Sequence, residues 1–120
     1  MADIYANNSL IVVDKAASYQ IMPQDIGKIL VVTGAATLTL PAIADVWNGW
    51  NVTIFNAVDA ELVVAAPSGK LVTFNNVAAT SLTTTSACHV GWGTKIVYDL
   101  ALTKYVDVRY QAESATTTVG

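Results

Sequence analysis

Short apolar runs separated by turn residues dominate this sequence. Runs of four to eight residues rich in Val, Ile, Thr, Tyr and Phe recur between Gly, Pro, Asn, Asp and Ser, the pattern typical of β-strands. A 3.6-residue period over ten or more residues is absent, although residues 42–48 could form one helical turn before Gly49. The pattern predicts strands at residues 9–13, 18–22, 28–33, 36–40, 51–56, 61–66, 70–74, 80–85, 87–91, 95–100 and 103–110.

Several runs indicate how their faces are used. In Thr37-Leu38-Thr39-Leu40 the period of two places both leucines on one face and both threonines on the other. By contrast, the runs 29–32 and 62–65 are apolar on both faces. Strands of this second kind are covered on both sides, so we expect a second sheet or a neighbouring subunit on each face.

The fold class follows from these elements. Many short strands without helices predict an all-β protein, either a β-sandwich or a β-barrel of about ten short strands. The 120 residues suit one domain spanning 1–120. Residues 1–8 are interpreted as an N-terminal arm that orders on a partner, and the small, polar residues of 111–120 as a flexible C-terminal tail.

Low charge suggests that part of the surface is covered by protein. Charged residues make up 12% of the chain, about half the usual share of roughly 25%. Such a chain either hides surface against copies of itself or a partner, or is a monomer solvated by Thr and Asn. The net charge is −3 and the six basic residues are scattered, which argues against binding to nucleic acid because that requires clustered Lys and Arg.

The compartment is indicated by what the sequence lacks. Cys88 is alone, so an intrachain disulfide is excluded. The first residues lack the basic and apolar regions of a signal peptide, and apolar runs stay well short of the roughly 20 residues that span a bilayer. We therefore expect synthesis in a reducing compartment, the cytoplasm, and no membrane partner.

Candidate catalytic groups do not combine into a site. His89 is the single histidine, and Cys88 next to it in a strand would point to the opposite face, so we expect a structural or hydrogen-bonding role for His89. One His and one Cys do not supply the three or four ligands that a metal needs. Gly91-Trp92-Gly93-Thr94-Lys95 lacks the glycine spacing of a phosphate loop. We predict no catalytic residue, no metal ligand and no cofactor.

The tryptophans lie in or beside predicted loops and have three interpretations. They cap the core, anchor an interface, where Trp is enriched, or stack on sugars. Together with the apolar residues near the N-terminus they form the set predicted to contact another subunit or a larger assembly: Ile4, Tyr5, Leu10, Ile11, Val12, Val13, Trp47, Trp50 and Trp92.

Residues 19–56 follow an order that resembles a known family. Tyr19, then Asp25-Ile26-Gly27-Lys28-Ile29, Thr37-Leu38-Thr39-Leu40-Pro41, Gly49 and Val52-Thr53-Ile54-Phe55-Asn56 resemble the β-rich module of phage capsid decoration proteins, head fibres and tail fibres. Pro67-Ser68-Gly69 continues the resemblance weakly, and Gly91-Trp92 comes earlier than the family pattern places it. The resemblance implies a non-catalytic virion part, usually a trimer, and it implies no particular contact residue.

Three functional hypotheses result. The first is a capsid decoration or cementing protein, or a short head fibre, which forms a homotrimer on the virion surface and contacts the major capsid protein or another virion protein. The second is a receptor-binding or tail-fibre module that recognises host surface glycan through loop Trp, Tyr and Asn side chains. The third is a small enzyme, which the missing nucleophile–base pair and metal set disfavour.

Overall fold

The computed structural model describes residues 11–72, 78–84, 89–108 and 117–119. This part of the chain is all-β and forms two sheets packed around one core, so the sandwich is the correct one of the two predicted architectures. Two 3-10 turns, Pro23–Asp25 and Ile43–Asp45, interrupt the strands. The strands are β1 (Val12–Lys15), β2 (Tyr19–Gln20), β3 (Ile29–Val32), β4 (Ala36–Thr39), β5 (Asn51–Asn56), β6 (Leu62–Ala65), β7 (Leu71–Val72), β8 (Ala78–Ala79), β9 (Ser81–Thr84), β10 (Gly93–Asp99), β11 (Lys104–Val108) and β12 (Thr117–Val119).

The first six strands alternate between the two sheets. The seven-stranded sheet has the order β1-β3-β5-β10-β11-β7-β8, and the five-stranded sheet has the order β12-β9-β6-β4-β2. β1, β3 and β5 are parallel neighbours in the first sheet, as are β2, β4 and β6 in the second. Each odd–even pair therefore forms one coil, and three coils stack as in a β-solenoid. Antiparallel pairs of β10 with β5 and β11 extend the first sheet.

The core lies between the sheets and is built by the alternation of side chains along each strand. Its largest fully buried side chains include Trp50 and Tyr105, whose rings meet edge to face with centroids 5.9 Å apart. The Tyr105 hydroxyl donates to the Pro41 carbonyl oxygen over 2.6 Å, which ties β11 to the segment after β4 in the other sheet. Each buried aliphatic side chain contributes about 1.5–3 kcal/mol. The aliphatic core residues include Leu30, Val52, Ile54 and Ile96 from the first sheet and Leu38, Leu62, Val64 and Leu82 from the second.

Two glycines are required by the turns between strands. Gly27 has φ +75° in the turn that precedes β3, a conformation in which glycine is not strained. Gly34 lies between β3 and β4, where a Cβ would come within 2.5 Å of the Ala16 carbonyl oxygen. The turns within two successive coils, one between β1 and β2 and the other between β3 and β4, therefore touch at Gly34.

Most predicted strands are confirmed, but some boundaries and two predictions are wrong. The strand predicted at 9–13 begins later, at Val12, and the strand predicted at 80–85 begins at Ser81, because Thr80 separates it from β8. The predicted strand 87–91 is wrong in its described part, because residues 89–91 enter a turn in which Gly91 has φ +86°. The predicted flexible tail, 111–120, contains strand β12, which pairs with β9. The predicted arm, 1–8, lies outside the described residues, whereas the predicted helical turn is present as Ile43–Asp45.

Candidate contact surface

The outward face of the five-stranded sheet is mostly polar. Since Leu38, Leu62 and Leu82 point into the core, the residues that alternate with them point outward. This face has two aliphatic side chains on its central strand β6, Val63 and Ala65, both half-buried. Its hydroxyl and amide side chains are those of Gln20, Thr37, Thr39, Ser81 and Thr83. A face of this composition is suited to water.

The outward face of the seven-stranded sheet has the opposite character. Six adjacent strands each place at least one large apolar side chain on it, across a width of about 24 Å at the usual strand spacing. Val12 is 58% exposed and Phe55 41%, while most of the others are half-buried by neighbours within the sheet. We call this surface the valine face; its residues are Val12, Ile29, Val31, Phe55, Val72, Val97, Val106 and Val108.

The charges on the valine face are balanced. Its charged residues within the described strands are Asp14 on β1, Lys95 and Asp99 on β10, and Lys104 on β11, two of each sign. Thr53 and Asn51 are the polar residues of β5 that point outward. Two such faces can approach each other without a concentration of like charge, which would otherwise oppose association.

A groove of about 470 Å³ lies at one end of the valine face. It runs between the loop 47–49 and the outward side chains of the β10–β11 hairpin. The Gly49 amide donates to the Tyr98 carbonyl oxygen over 2.9 Å, which fixes the loop against the hairpin. The rest of the lining comes from Asn48, Val97, Asp99, Val106 and Val108.

The predicted contact residues divide into exposed and buried ones. Ile11 and Val12 are more than half exposed, as is Trp47 at 52%. Val13 is partly buried and packs against the core. Ile4, Tyr5 and Leu10 lie outside the described residues.

For Trp50 and Trp92 the contact prediction is wrong. Both are buried within the single chain, at 0% and 5% exposure. The Trp50 indole nitrogen donates to the Pro23 carbonyl oxygen over 2.8 Å. These two tryptophans belong to the core, as in the first of their three interpretations.

Asp25, in the turn that precedes β3, organises a buried polar network. One carboxylate oxygen accepts hydrogen bonds from the Tyr19 hydroxyl at 2.7 Å and the Met22 amide at 2.9 Å, and the other pairs with the Lys28 ammonium at 2.9 Å. The Lys15 ammonium lies 3.5 Å from the Tyr19 ring centroid. The hydrogen bonds of Asp25 therefore stabilise the turn, and their partners all belong to the same chain.

The network shifts the pKa values of its members. Burial opposes ionisation of Asp25, but the hydrogen bonds from Met22, Lys28 and Tyr19 outweigh it and hold the pKa of this carboxyl below its usual value. The hydrogen bond to Asp25, together with burial and the negative charge, raises the pKa of Tyr19 to about 12. Both groups are stabilised in the forms that they adopt at neutral pH.

His89 has a hydrogen-bonding role, as predicted, but lies after a strand instead of within one. Its Nδ1 is 2.8 Å from the Thr84 hydroxyl, which also accepts a hydrogen bond from the Leu62 amide at 3.0 Å. Thr84 thus connects β6, β9 and the turn that begins at His89.

Within the described ranges no three His, Cys, Asp or Glu side chains come together as a metal site. A second buried carboxylate, Asp107, accepts a hydrogen bond from Thr94 inside the sandwich. Among the helices of the described segments, none has the length and apolar character needed to cross a bilayer.

Two features of the candidate contact surface were not predicted from the sequence. Phe55 alternates along β5 with the buried residues, on the same side as Asn51 and Thr53. This alternation could have indicated an exposed aromatic residue. Leu100 and Leu102 lie in the turn between β10 and β11, where Gly, Asn or Asp is usual. Comparison with known proteins adds no further signal: the chain matches no protein-family model and no curated protein.

Proposed function

We propose that this chain is a non-enzymatic virion structural protein of a phage, a capsid decoration or cementing protein or a short head fibre. In this proposal copies of the chain associate, as a homotrimer, and the assembly attaches to the major capsid protein or another protein of the shell. The resemblance of residues 19–56 to the phage module supports the virion setting.

The contrast between the two outward faces carries the proposal. Soluble monomers rarely expose contiguous apolar patches beyond a few hundred Å², yet the valine face spans six strands while the opposite face is mostly Thr, Ser and Gln. A stable interface takes about 800 Å² from each partner, roughly one-eighth of the 6364 Å² of this chain. The valine face would lie inside an interface of this size, which favours another protein as its cover.

Matched isosteric substitutions test whether the valine face binds protein. The triple variant Val31→Thr, Val97→Thr, Val106→Thr keeps β-branched side chains of the same size but adds hydroxyls to the face. Val63→Thr makes the same change on the other sheet. In sedimentation velocity we expect the triple variant to dissociate and Val63→Thr to keep the wild-type mass.

Binding to the particle is a separate measurement. Wild-type protein should co-sediment with expanded capsids that lack it, and the triple variant should bind them less. A monomeric wild-type protein that ignores capsids and binds host surface glycan would contradict the proposal and support the receptor-binding module instead.

A further inference from the structure

The turn between β10 and β11 projects two leucines into solvent. Leu100 is 58% exposed and Leu102 49%, although turns usually use small or polar residues. Thr103 completes the turn with φ +54°, in the left-handed region. We call residues 100–103 the hairpin tip. An apolar projection of this kind costs solubility unless another molecule covers it.

Hydrogen bonds hold the hairpin tip in one conformation. The Leu100 amide donates to the Asn48 side-chain oxygen over 3.0 Å, and the Ala101 amide donates to an Asp99 carboxylate oxygen over 2.9 Å. The Thr103 amide donates to the Leu100 carbonyl oxygen over 3.1 Å. Because the tip is already ordered, its binding to a partner would cost little conformational entropy.

The groove described above lies beside the hairpin tip and has a complementary character. Its outward valines, Val97, Val106 and Val108, are apolar, and its volume is about 470 Å³. An apolar cavity of about 150 Å³ accommodates benzene, and a leucine side chain has fewer carbon atoms than benzene. Both leucines of a tip therefore fit a groove of this size.

We infer that the hairpin tip of one copy occupies the groove of a second copy. This inference rests on the self-association in the proposed function and names its central contact. The surface of one chain carries both the projection and the depression, which is what a self-complementary interface requires. Charge permits it, since Asp99 lies opposite Lys104 in the register of the hairpin, so that each tip has one charge of each sign at its base.

Other occupants of the groove fit the observations less well. One side-chain oxygen of Asn48 and one of Asp99 already accept amide hydrogen bonds from the tip, which reduces the number of polar groups in the groove that could bind the hydroxyls of a sugar. Two copies that each insert a tip into the other's groove form a two-fold dimer. Copies that each insert a tip into the groove of the next copy form a ring. The measured mass distinguishes these two closures.

The double variant Leu100→Ser, Leu102→Ser tests the contact, with Val90→Ser as its matched control. Val90 is also 58% exposed but lies in a different turn. We expect the dissociation constant of the oligomer to be at least about tenfold higher for the double variant than for the wild type. At concentrations where both proteins are monomeric, their melting temperatures should be equal. Val90→Ser should leave the dissociation constant unchanged.

A cross-link provides a readout that does not depend on affinity. Two proteins, one with Leu102→Cys and one with Val97→Cys, each with Cys88→Ser, are mixed under mild oxidation. The inference expects a mixed disulfide dimer between the two variants in excess of either homodimer. An oligomeric wild-type protein whose mass is unaffected by the double variant, without the mixed dimer, would overturn the tip-to-groove contact alone. A wild-type protein that is monomeric at high concentration would overturn the proposed self-association as well.

Discussion

Replacing Asp25 should remove a defined part of the folding free energy. Its carboxylate accepts from the Met22 amide, the Tyr19 hydroxyl and the Lys28 ammonium, all between 2.7 and 2.9 Å. The Asp25 side chain is 5% exposed and that of Lys28 26%. The first two donors lose a partner on truncation, while the Lys28 ammonium can turn to water.

Three substitutions separate these contributions. Asp25→Ala should cost about 3 kcal/mol, from about 1–1.5 kcal/mol for each of the bonds to Met22 and Tyr19 and less than about 1 kcal/mol for the ion pair. Asp25→Asn should cost about 1 kcal/mol, because one amide oxygen can still accept the bonds from Met22 and Tyr19. Lys28→Met removes only the ion pair and should cost less than about 1 kcal/mol.

Urea titration monitored by tryptophan fluorescence measures the series, since Trp50 and Trp92 are buried and report unfolding. The predicted order of stability is wild type, Lys28→Met, Asp25→Asn, Asp25→Ala. An Asp25→Ala variant within about 0.5 kcal/mol of wild type, the range of ordinary surface substitutions, would refute the role assigned to this network.

The pH dependence follows from the pKa shifts. Because the pKa of Asp25 is lowered by folding, its contribution is present above the ordinary pKa near 3.8 and is lost as the pH falls below it. Because the pKa of Tyr19 is raised from 10.0 to about 12, its contribution is present below pH 10 and is lost as the pH approaches 12. The stability of Asp25→Asn should decrease less in acid than that of wild type.

Three further substitutions use the same urea titration. Tyr105→Phe leaves the buried Pro41 carbonyl oxygen without its 2.6 Å donor and should cost about 1–2 kcal/mol; an unchanged midpoint would contradict this. Gly34→Ala places a Cβ 2.5 Å from the Ala16 carbonyl oxygen and should cost about 1–3 kcal/mol. A wild-type midpoint would contradict this and show that the two turns can separate. Thr84→Val removes the acceptor that joins β6 to β9 and should cost about 1–3 kcal/mol, which a wild-type midpoint would disprove.

Local pattern predicted the strands better than it predicted their arrangement. The alternation in residues 36–40 placed Leu38 inward correctly, because a period of two needs no partner to be recognised. The parallel alternation of β1 to β6 between two sheets depends on pairing between residues 17 to 26 positions apart, and local periodicity does not contain this information.

The contact surface could be predicted only in part. The run 29–32, which is apolar on both faces, correctly indicated a strand with an apolar outward side. It contains no information on a partner for that side. Trp47 and Trp50 flank the same turn, so the sequence analysis predicted an interface contact for both. Packing separates them, since Trp50 reaches Pro23 and Tyr105 while Trp47 stays 52% exposed.

The mass of the unmodified protein in solution tests the central claim most directly. The account predicts that sedimentation equilibrium gives a multiple of the 12.7 kDa chain mass, three chains for the proposed trimer, over a wide range of concentration. A mass of one chain at every concentration, with the valine face exposed to solvent, would contradict it.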